Sequence, residues 1–323
     1  MAQQLALVLG ATGGIGGEVA RKLLVRGWRV RALNRKAMVD RNDGIEWVQG
    51  DAMQRADVVQ AAQGATLIVH AVNPPGYQRW AELVLPMLDN TIAAARASGA
   101  RILLPGTVYN YGPDAFAHLD ESAPQQPLTR KGKIRVELER RLKAASQQGV
   151  RTLIVRAGDF FGPQVGNSWF AQGLVKAGQP VRAVGRPGPE GVGHQWAYVP
   201  DVAETMLRLV ECGDRLGAFE TFHMDGHWDK DGLQMAGAIG RAVDDPVITV
   251  RPIPWWLFTL ASPFVTVFRE LREMRYLWQQ PVRMRNDKLV ALLGSEPHTP
   301  LDEAVRTTLQ GLGCLPEAAL AAV

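Results

Sequence analysis

The chain has 323 residues, with 36 lysines and arginines against 32 aspartates and glutamates, a formal net charge of +4. So slight an excess excludes a nucleic-acid binder built on a concentrated basic face. Hydrophobic residues make up 46% and charged residues 21%, which excludes disordered and fibrous classes, and the length admits one large domain or two ordinary ones. Two cysteines, Cys212 and Cys314, stand far apart without CxxC spacing. Neither a disulfide framework nor a zinc site is expected from them, and a reducing compartment fits.

The N-terminus runs into an apolar stretch without a basic region or a small-residue cleavage site, so a cytoplasmic protein is expected. Apolar runs of four to six residues then alternate with amphipathic stretches: LALVL (5–9), WRVRAL (28–33), IEWVQ (45–49), ATLIVH (65–70), RILLP (101–105) and RTLIVR (151–156). Between them Val19, Leu23 and Leu24, then Leu83, Leu85 and Leu88, then Ile134, Leu138 and Leu142 carry helical spacing. Alternating strand and helix predicts an α/β fold, a Rossmann-like doubly wound parallel sheet covered on both faces. After residue 165 the pattern loosens. Residues 178–193 carry eight glycines and prolines and read as a long loop. A helix is expected over 201–210, and from Asp231 the segments read as mostly helical, with a helix start at Pro300. The expected division is a dinucleotide-binding domain over 1–165, to which 194–225 returns, and a smaller, mostly helical substrate-binding or lid part over 166–193 and 226–323.

The first strand leads into Gly10-Ala11-Thr12-Gly13-Gly14-Ile15-Gly16, and a helix opens there. Glycines at 10, 13 and 16 allow a tight turn, close approach of backbone to a pyrophosphate, and close packing of helix on sheet. An ordinary flexible turn is the plainer reading of any glycine string; this one follows a strand, precedes a helix and opens an α/β alternation, the context a dinucleotide site requires. At the end of the second strand, where an NAD site carries an acid for the ribose 2′-hydroxyl, stand Asn34, Arg35 and Lys36. A guanidinium there pairs with a 2′-phosphate, so NADP is preferred, with NAD still possible. The alternative is that Arg35 and Lys36 are solvated surface charges.

In the glycine loop and the strand ends around it, the chain resembles the extended or atypical short-chain dehydrogenase/reductase superfamily, in its NAD(P)-dependent epimerase/dehydratase-like branch. GATGGIG (10–16) is similar to that branch's nucleotide loop. Gly50-Asp51-Ala52 resembles the position whose carboxylate meets the adenine, and His70-Ala71-Val72 the fourth-strand segment beside the cofactor riboses. Thr107-Val-Tyr109-Asn-Tyr111-Gly112 resembles the end of the fifth strand, Arg156-Ala157-Gly-Asp159-Phe-Phe-Gly-Pro163 the segment that closes over the nicotinamide, and Tyr198-Val-Pro-Asp201 a later strand-to-helix turn. From residue type alone Asp51 reads equally as a loop carboxylate capping the next helix, His70 as a strand-end histidine satisfied by backbone, and Asp201 as a helix N-cap.

The superfamily's reductases carry Tyr-x-x-x-Lys on the helix after the fifth strand. Spacing of four puts both on one helix face, where the ammonium lowers the phenol's pKa and holds the nicotinamide ribose. Here Lys133 is in place and Thr129 stands where the tyrosine is expected. The five tyrosines, at 77, 109, 111, 198 and 276, are followed four residues on by Ala81, Pro113, Ala115, Val202 and Gln280, so no shifted register restores the pair. A threonine hydroxyl is a far weaker acid than a phenol of pKa about 10. Three readings stay open: Lys133 as general acid, Tyr109 or Tyr111 as a phenol from another direction, or cofactor binding without chemistry.

Thr107 would polarise a substrate oxygen, and Asp159 either touches substrate or caps a turn. His223 and His227 stand four apart, but Gly226 between them argues against a metal-binding helix, and no metal is expected. Trp255, Trp256, Leu257, Phe258, Phe264, Phe268 and Trp278 read as core of a helical part or as a wall over a lipophilic substrate. The stretch from Ile253 to Phe268 holds Pro254 and Pro263 and falls short of the ~20 residues that span a bilayer; no transmembrane segment is expected, and peripheral membrane contact stays open. The expected function is hydride transfer between NADP(H) and a small-molecule carbonyl or alcohol. The alternatives are a non-catalytic NAD(P)-binding sensor or assembly protein, or a sugar epimerase or dehydratase; a homodimer through two outer helices is an expectation of the resemblance.

Overall fold

A computed structural model describes residues 3–38, 41–74, 80–262 and 272–315. Its central feature is a seven-stranded parallel sheet: β1 (Leu5–Leu9), β2 (Arg29–Asn34), β3 (Ile45–Gln49), β4 (Leu67–His70), β5 (Arg101–Thr107), β6 (Thr152–Ala157) and β10 (Phe219–His223). In space the strands run β10-β6-β5-β4-β1-β2-β3. The chain therefore builds outward from β1 in one direction, then returns to β4 on its other side and builds the opposite way. That reversal opens a crevice at the carboxyl ends of β1 and β4, where open α/β sheets bind ligands.

Position in the sheet explains strand composition. β1, β4 and β6 are buried at every residue, as strands covered on both faces must be, and they read as mostly apolar runs, with His70 and Arg156 near the ends of β4 and β6. The edge strand β3 and its neighbour β2 carry charge: Arg31 Nε donates to Glu46 at 2.8 Å and Arg29 to the same carboxylate at 3.3 Å. The helices α1 (Gly14–Val25), α2 (Arg55–Ala61), α3 (Trp80–Ser98) and α4 (Arg130–Ser146) bury apolar stripes. Leu5, Leu7 and Leu9 of β1, Leu88 and Ile92 of α3, and Leu138 and Leu142 of α4 belong to one core.

The described chain separates into two compact units. The first comprises Met1–Ala157, Val202–Met224 and Arg285–Pro297; the second comprises Gly158–Asp201, Asp225–Met284 and His298–Val323. The sequence placed the division at 165 and returned 194–225 to the first unit. In the structure β9 (His194–Tyr198) instead joins a small sheet of the second unit, pairing with β7 (Asp159–Phe161) and antiparallel with β11 (His227–Asp229). Within the expected loop 178–193 lies β8 (Val184–Arg186), which pairs with β12 (Val250–Pro252). The helices α5 (Val199–Glu211), α6 (Gln234–Ala242), α7 (Trp255–Ala261), α8 (Asp287–Leu293) and α9 (Leu301–Gly311) follow. Because α5 begins at Val199, Asp201 sits inside its first turn and is not its N-cap; its carboxylate accepts from the backbone N–H and hydroxyl of Thr299, both at 2.7 Å.

Beneath the carboxyl ends of β5 and β6 the first unit buries an ion pair. Arg156 of β6 bonds Glu139 of α4 through both Nε, at 3.1 Å, and Nη2, and its Nη1 donates to the Tyr111 hydroxyl and to His223 Nε2, the latter at 3.1 Å. The Tyr111 hydroxyl donates in turn to His223 Nε2 at 2.7 Å. Burial opposes the charge on Arg156, but the Glu139 carboxylate outweighs it and holds the guanidinium protonated. Burial, then the neighbouring Arg156, depresses His223 to about 3, so its ring is neutral. Removing one member of such a pair leaves the other charge buried and unmatched. Glu139→Ala is expected to destabilise the protein by about 3–5 kcal/mol in chemical denaturation, whereas a surface pair such as Arg241–Asp302 is worth under about 1 kcal/mol.

Candidate active site

The crevice begins where β1 ends. Gly10 has φ +93°, a left-handed conformation that side chains rarely adopt, and a Cβ there would lie 2.6 Å from the Ala71 carbonyl oxygen. A Cβ on Gly16 would press into the Gly10 carbonyl oxygen and approach the Ala71 Cβ at 3.1 Å. Two glycines therefore let the β1–α1 turn, the first turn of α1 and the residues just past β4 touch backbone to backbone. The Gly13 N–H closes the turn on the Gly10 carbonyl at 2.9 Å, and the first helical bond runs from the Gly17 N–H to the Gly13 carbonyl at 2.8 Å. The N–H groups of Gly14, Ile15 and Gly16 lie ahead of that bond. They form the positive end of α1, whose first turn carries no acid. Thr12 is exposed on the turn. A cradle of backbone N–H groups with no side chain in the way fits a pyrophosphate.

The expected ribose-side residues gather on the β2 side of this loop. Asn34 ends β2, and its side-chain oxygen accepts the Lys36 N–H at 2.9 Å, leaving Arg35 and Lys36 exposed. The Gly50 N–H bonds the Asn34 carbonyl at 2.9 Å, so Asp51 and Ala52 follow directly beside them. Asp51 does not cap α2, whose N-cap is Gln54. Its carboxylate accepts the Met53 N–H at 2.9 Å, and its own N–H bonds Asp57 at 2.9 Å.

On the β4 side, Ala71 and Val72 are half-buried against Gly10, while His70 is buried. The Thr91 hydroxyl donates to the Met87 carbonyl at 3.0 Å and so accepts from His70 Nδ1 at 2.8 Å. His70 is thus satisfied by a helix side chain, not by backbone. Burial, then the charge of Arg135, depresses it to about 3, and it carries no charge near neutrality.

The catalytic candidates divide sharply. Thr107 ends β5 in register with Ala157 at the end of β6, and its hydroxyl oxygen accepts the Tyr109 N–H at 3.3 Å. The start of α4 docks on this same turn: a Cβ on Gly132 would run into the Tyr109 carbonyl oxygen and Pro127. That close approach brings the Thr107–Tyr109 turn beside the segment bearing Thr129 and Lys133. Lys133 is exposed, whereas Thr129 is buried as the N-cap of α4, its hydroxyl oxygen accepting the Gly132 N–H at 3.0 Å. Tyr109 is half-buried. Tyr111 is fully buried in the Arg156 pair, and burial raises its phenol well above the ordinary value, which removes it as a proton donor. Tyr77 lies outside the described residues.

The sequence reading missed the cluster of Arg156, Glu139, Tyr111 and His223, and missed Gly132. The available signals were a charged residue inside the apolar run 151–156 and a glycine in the first turn of a helix. Among the remaining candidates, Asp159 accepts from His194 Nε2 at 2.8 Å within the second unit. His223 and His227 fall on separate strands, β10 and β11. Trp278 is buried and stacks on His194 at 3.4 Å, Trp255 and Phe258 are half-buried against each other, and Trp256 and Leu257 are exposed; Phe264 and Phe268 lie outside the described residues.

Residues 6–224 match the NAD dependent epimerase/dehydratase family. The chain belongs to that family. Compared by sequence with curated proteins, it matches none. Among solved structures, MoeE5 in complex with UDP-glucose and NAD is 15% identical with a TM-score of 0.73, the match covering 95% of this chain and 98% of that one. The Bordetella bronchiseptica enzyme WbmH in complex with NAD+ is 18% identical with a TM-score of 0.69, covering 96% and 98%. UDP-glucose 4-epimerase from Bifidobacterium longum, in complex with NAD+ and UDP, is 15% identical with a TM-score of 0.71, covering 96% and 98%. At such identities the likeness is one of fold, and the fold is that of the extended short-chain dehydrogenase epimerases.

Two outcomes follow for this family member. Gly16→Ala is expected to abolish dinucleotide binding in a fluorescence titration, because its Cβ has no room against the Gly10 carbonyl. Thr129→Ala is expected to cost about 1 kcal/mol of stability by thermal denaturation, the worth of a helix N-cap, with the Thr129→Ser variant close to wild type.

Proposed function

We propose that the chain is an NADP(H)-dependent oxidoreductase that interconverts a small carbonyl compound and its alcohol. The observation that carries this reading is the side-chain-free cradle at Gly10, Gly13 and Gly16, set at the crevice between β1 and β4. The preference for NADP(H) rests on Arg35 and Lys36, exposed just past β2 and supported there by the Asn34 turn. A guanidinium at that position pairs with a 2′-phosphate through two charge-assisted hydrogen bonds.

When bound, the nicotinamide supplies or accepts the hydride. The chain's own residues do the rest. Thr107 presents a hydroxyl at the end of β5 that donates to the substrate oxygen and orients it. Lys133, one turn into α4, holds the nicotinamide ribose and delivers a proton to that oxygen as negative charge develops on it; its exposure lets solvent replace the proton. Thr129 stands where the family's tyrosine is expected but takes no part, because its hydroxyl is committed to capping α4 and is shielded from solvent. Tyr109, in the turn that carries Thr107, is the second proton donor this arrangement offers. His70, Asp51, Ala52, Ala71, Val72 and Ala157 shape the remaining walls of the dinucleotide site.

A second reading, an epimerase or dehydratase acting on a nucleotide sugar, is favoured by the family match over residues 6–224. Turnover assays with NADPH over a panel of ketones, aldehydes, enones and UDP-sugars separate the two. The oxidoreductase reading predicts NADPH oxidation with a carbonyl substrate, and Lys133→Ala lowering kcat/KM at least a hundredfold, with Tyr109→Phe costing less than tenfold. The reverse order would assign the proton to Tyr109. Tight NADPH binding with no turnover of any compound would make the protein a sensor.

A further inference from the structure

We propose that α7 of the second unit is a docking face for an anionic lipid surface. The inference is independent of the reading of the dinucleotide site. From Ile253 to Phe268 the sequence holds no charged residue, and Arg251 and Arg269 bracket it. Within that stretch α7 (Trp255–Ala261) reads WWLFTLA. A helix on a protein surface normally turns a polar stripe to water, and one apolar all round is normally buried. α7 does neither.

Its inward side is already matched. The Trp255 indole N–H donates to the Pro187 carbonyl at 2.8 Å, its ring packs against Trp169 at 6.0 Å, and Phe258 meets it edge-on at 5.5 Å. Its outward side consists of Trp256 at 64% exposure, Leu257 at 44% and Leu260 at 68%. Trp256 and Leu260 stand one turn apart and form a single ridge. The hydroxyls on this segment turn back to the helix: Thr259 donates to the Trp255 carbonyl at 3.0 Å and Ser262 to the Thr259 carbonyl at 2.9 Å. Thr259 is exposed beside the ridge with its hydroxyl committed to the helix, and the ridge borders an open groove lined by Ile253, Pro254, Trp255, Thr259 and Leu260.

The charges around the ridge choose the occupant. Arg251 and Arg275 are exposed beside it, Arg275 lying over the Trp255 ring at 5.4 Å, and exposed Arg272 reaches the Ser262 hydroxyl at 3.3 Å. Among the described residues the acids nearby are taken or turned away: Glu190 pairs with Arg186 at 2.9 Å, and Glu273 Oε2 is shielded from solvent. Tryptophan and leucine on one side with arginine at the rim is the composition of an interfacial helix, whose apolar side enters the headgroup boundary while its cations meet anionic lipid. The three exposed apolar side chains among the described residues of this face offer far less than the ~800 Å² per partner that a stable protein interface buries, which disfavours a second copy of this chain. No helix among the described residues is long and apolar enough to cross a membrane, so the contact is peripheral.

Co-sedimentation of the full chain with vesicles tests this directly. With vesicles of phosphatidylcholine containing about one-third phosphatidylserine, binding is expected to be at least tenfold stronger than with phosphatidylcholine alone, and to weaken as salt screens the arginines. Trp256→Ser combined with Leu260→Ser is expected to lower that binding at least tenfold with an unchanged melting temperature, since both side chains are exposed. A wild-type protein that stays in the supernatant, equal binding to both vesicle types, or a double variant that sediments like wild type would overturn the proposal. Self-association without lipid that the double variant abolishes would overturn it as well, by giving the face to a second copy.

Discussion

Three stretches of backbone meet where β1 ends, and they meet without side chains. Gly10 turns at φ +93° against the carbonyl of Ala71, and Gly16 brings α1 onto the Gly10 carbonyl. This contact fixes where the first helix starts and aims its unbonded N–H groups at the crevice left by the reversal of strand order between β1 and β4. The same turn lies between two strand ends. Asn34 and Arg35 stand at the end of β2 on one side, and Ala71 and Val72 just past β4 on the other. A methyl group at either glycine would push these segments apart, so the fold and the candidate site depend on one constraint.

The carboxyl end of β5 depends on a second contact, between Gly132 and the Tyr109 carbonyl, which seats the start of α4 on the turn after that strand. Below it the Arg156–Glu139 pair joins α4 to β6, and Tyr111 and His223 tie in the turn and β10. These groups are neutral or paired where they are buried, as the low dielectric requires. The arrangement also explains why two of the hydroxyl candidates cannot act. Thr129 is consumed by the helix it caps and Tyr111 by the pair it completes, whereas Lys133 is exposed and Tyr109 half-buried.

Much of this was legible in the sequence because the covered strands are mostly apolar runs. IEWVQ gives β3 residue for residue, and LALVL gives β1. The glycine spacing was legible because backbone contact leaves no alternative residue. What escaped was set by distant partners. The Gly/Pro-rich stretch 178–193 hides β8, which exists only because β12, more than sixty residues on, pairs with it. Likewise β9 reads as a strand next to α5, yet its partners are β7 and β11, and this moves 194–201 into the second unit. Glu139 and Arg156 are seventeen residues apart, one on a helix otherwise rich in solvated charge and one inside a strand; nothing local marks them as a pair. Asp51, Asp201 and Thr129 show the same limit at single residues, since the cap or turn each one makes is decided by where the helix begins.

The central claim is that this turn holds a dinucleotide and that Arg35 and Lys36 choose its phosphate. Titration calorimetry with NADPH and NADH measures it most directly. The account predicts that NADPH binds at least tenfold more tightly, a difference of about 1.4 kcal/mol, and that Arg35→Ala combined with Lys36→Ala removes the difference. Failure of the wild-type protein to bind either dinucleotide would contradict it.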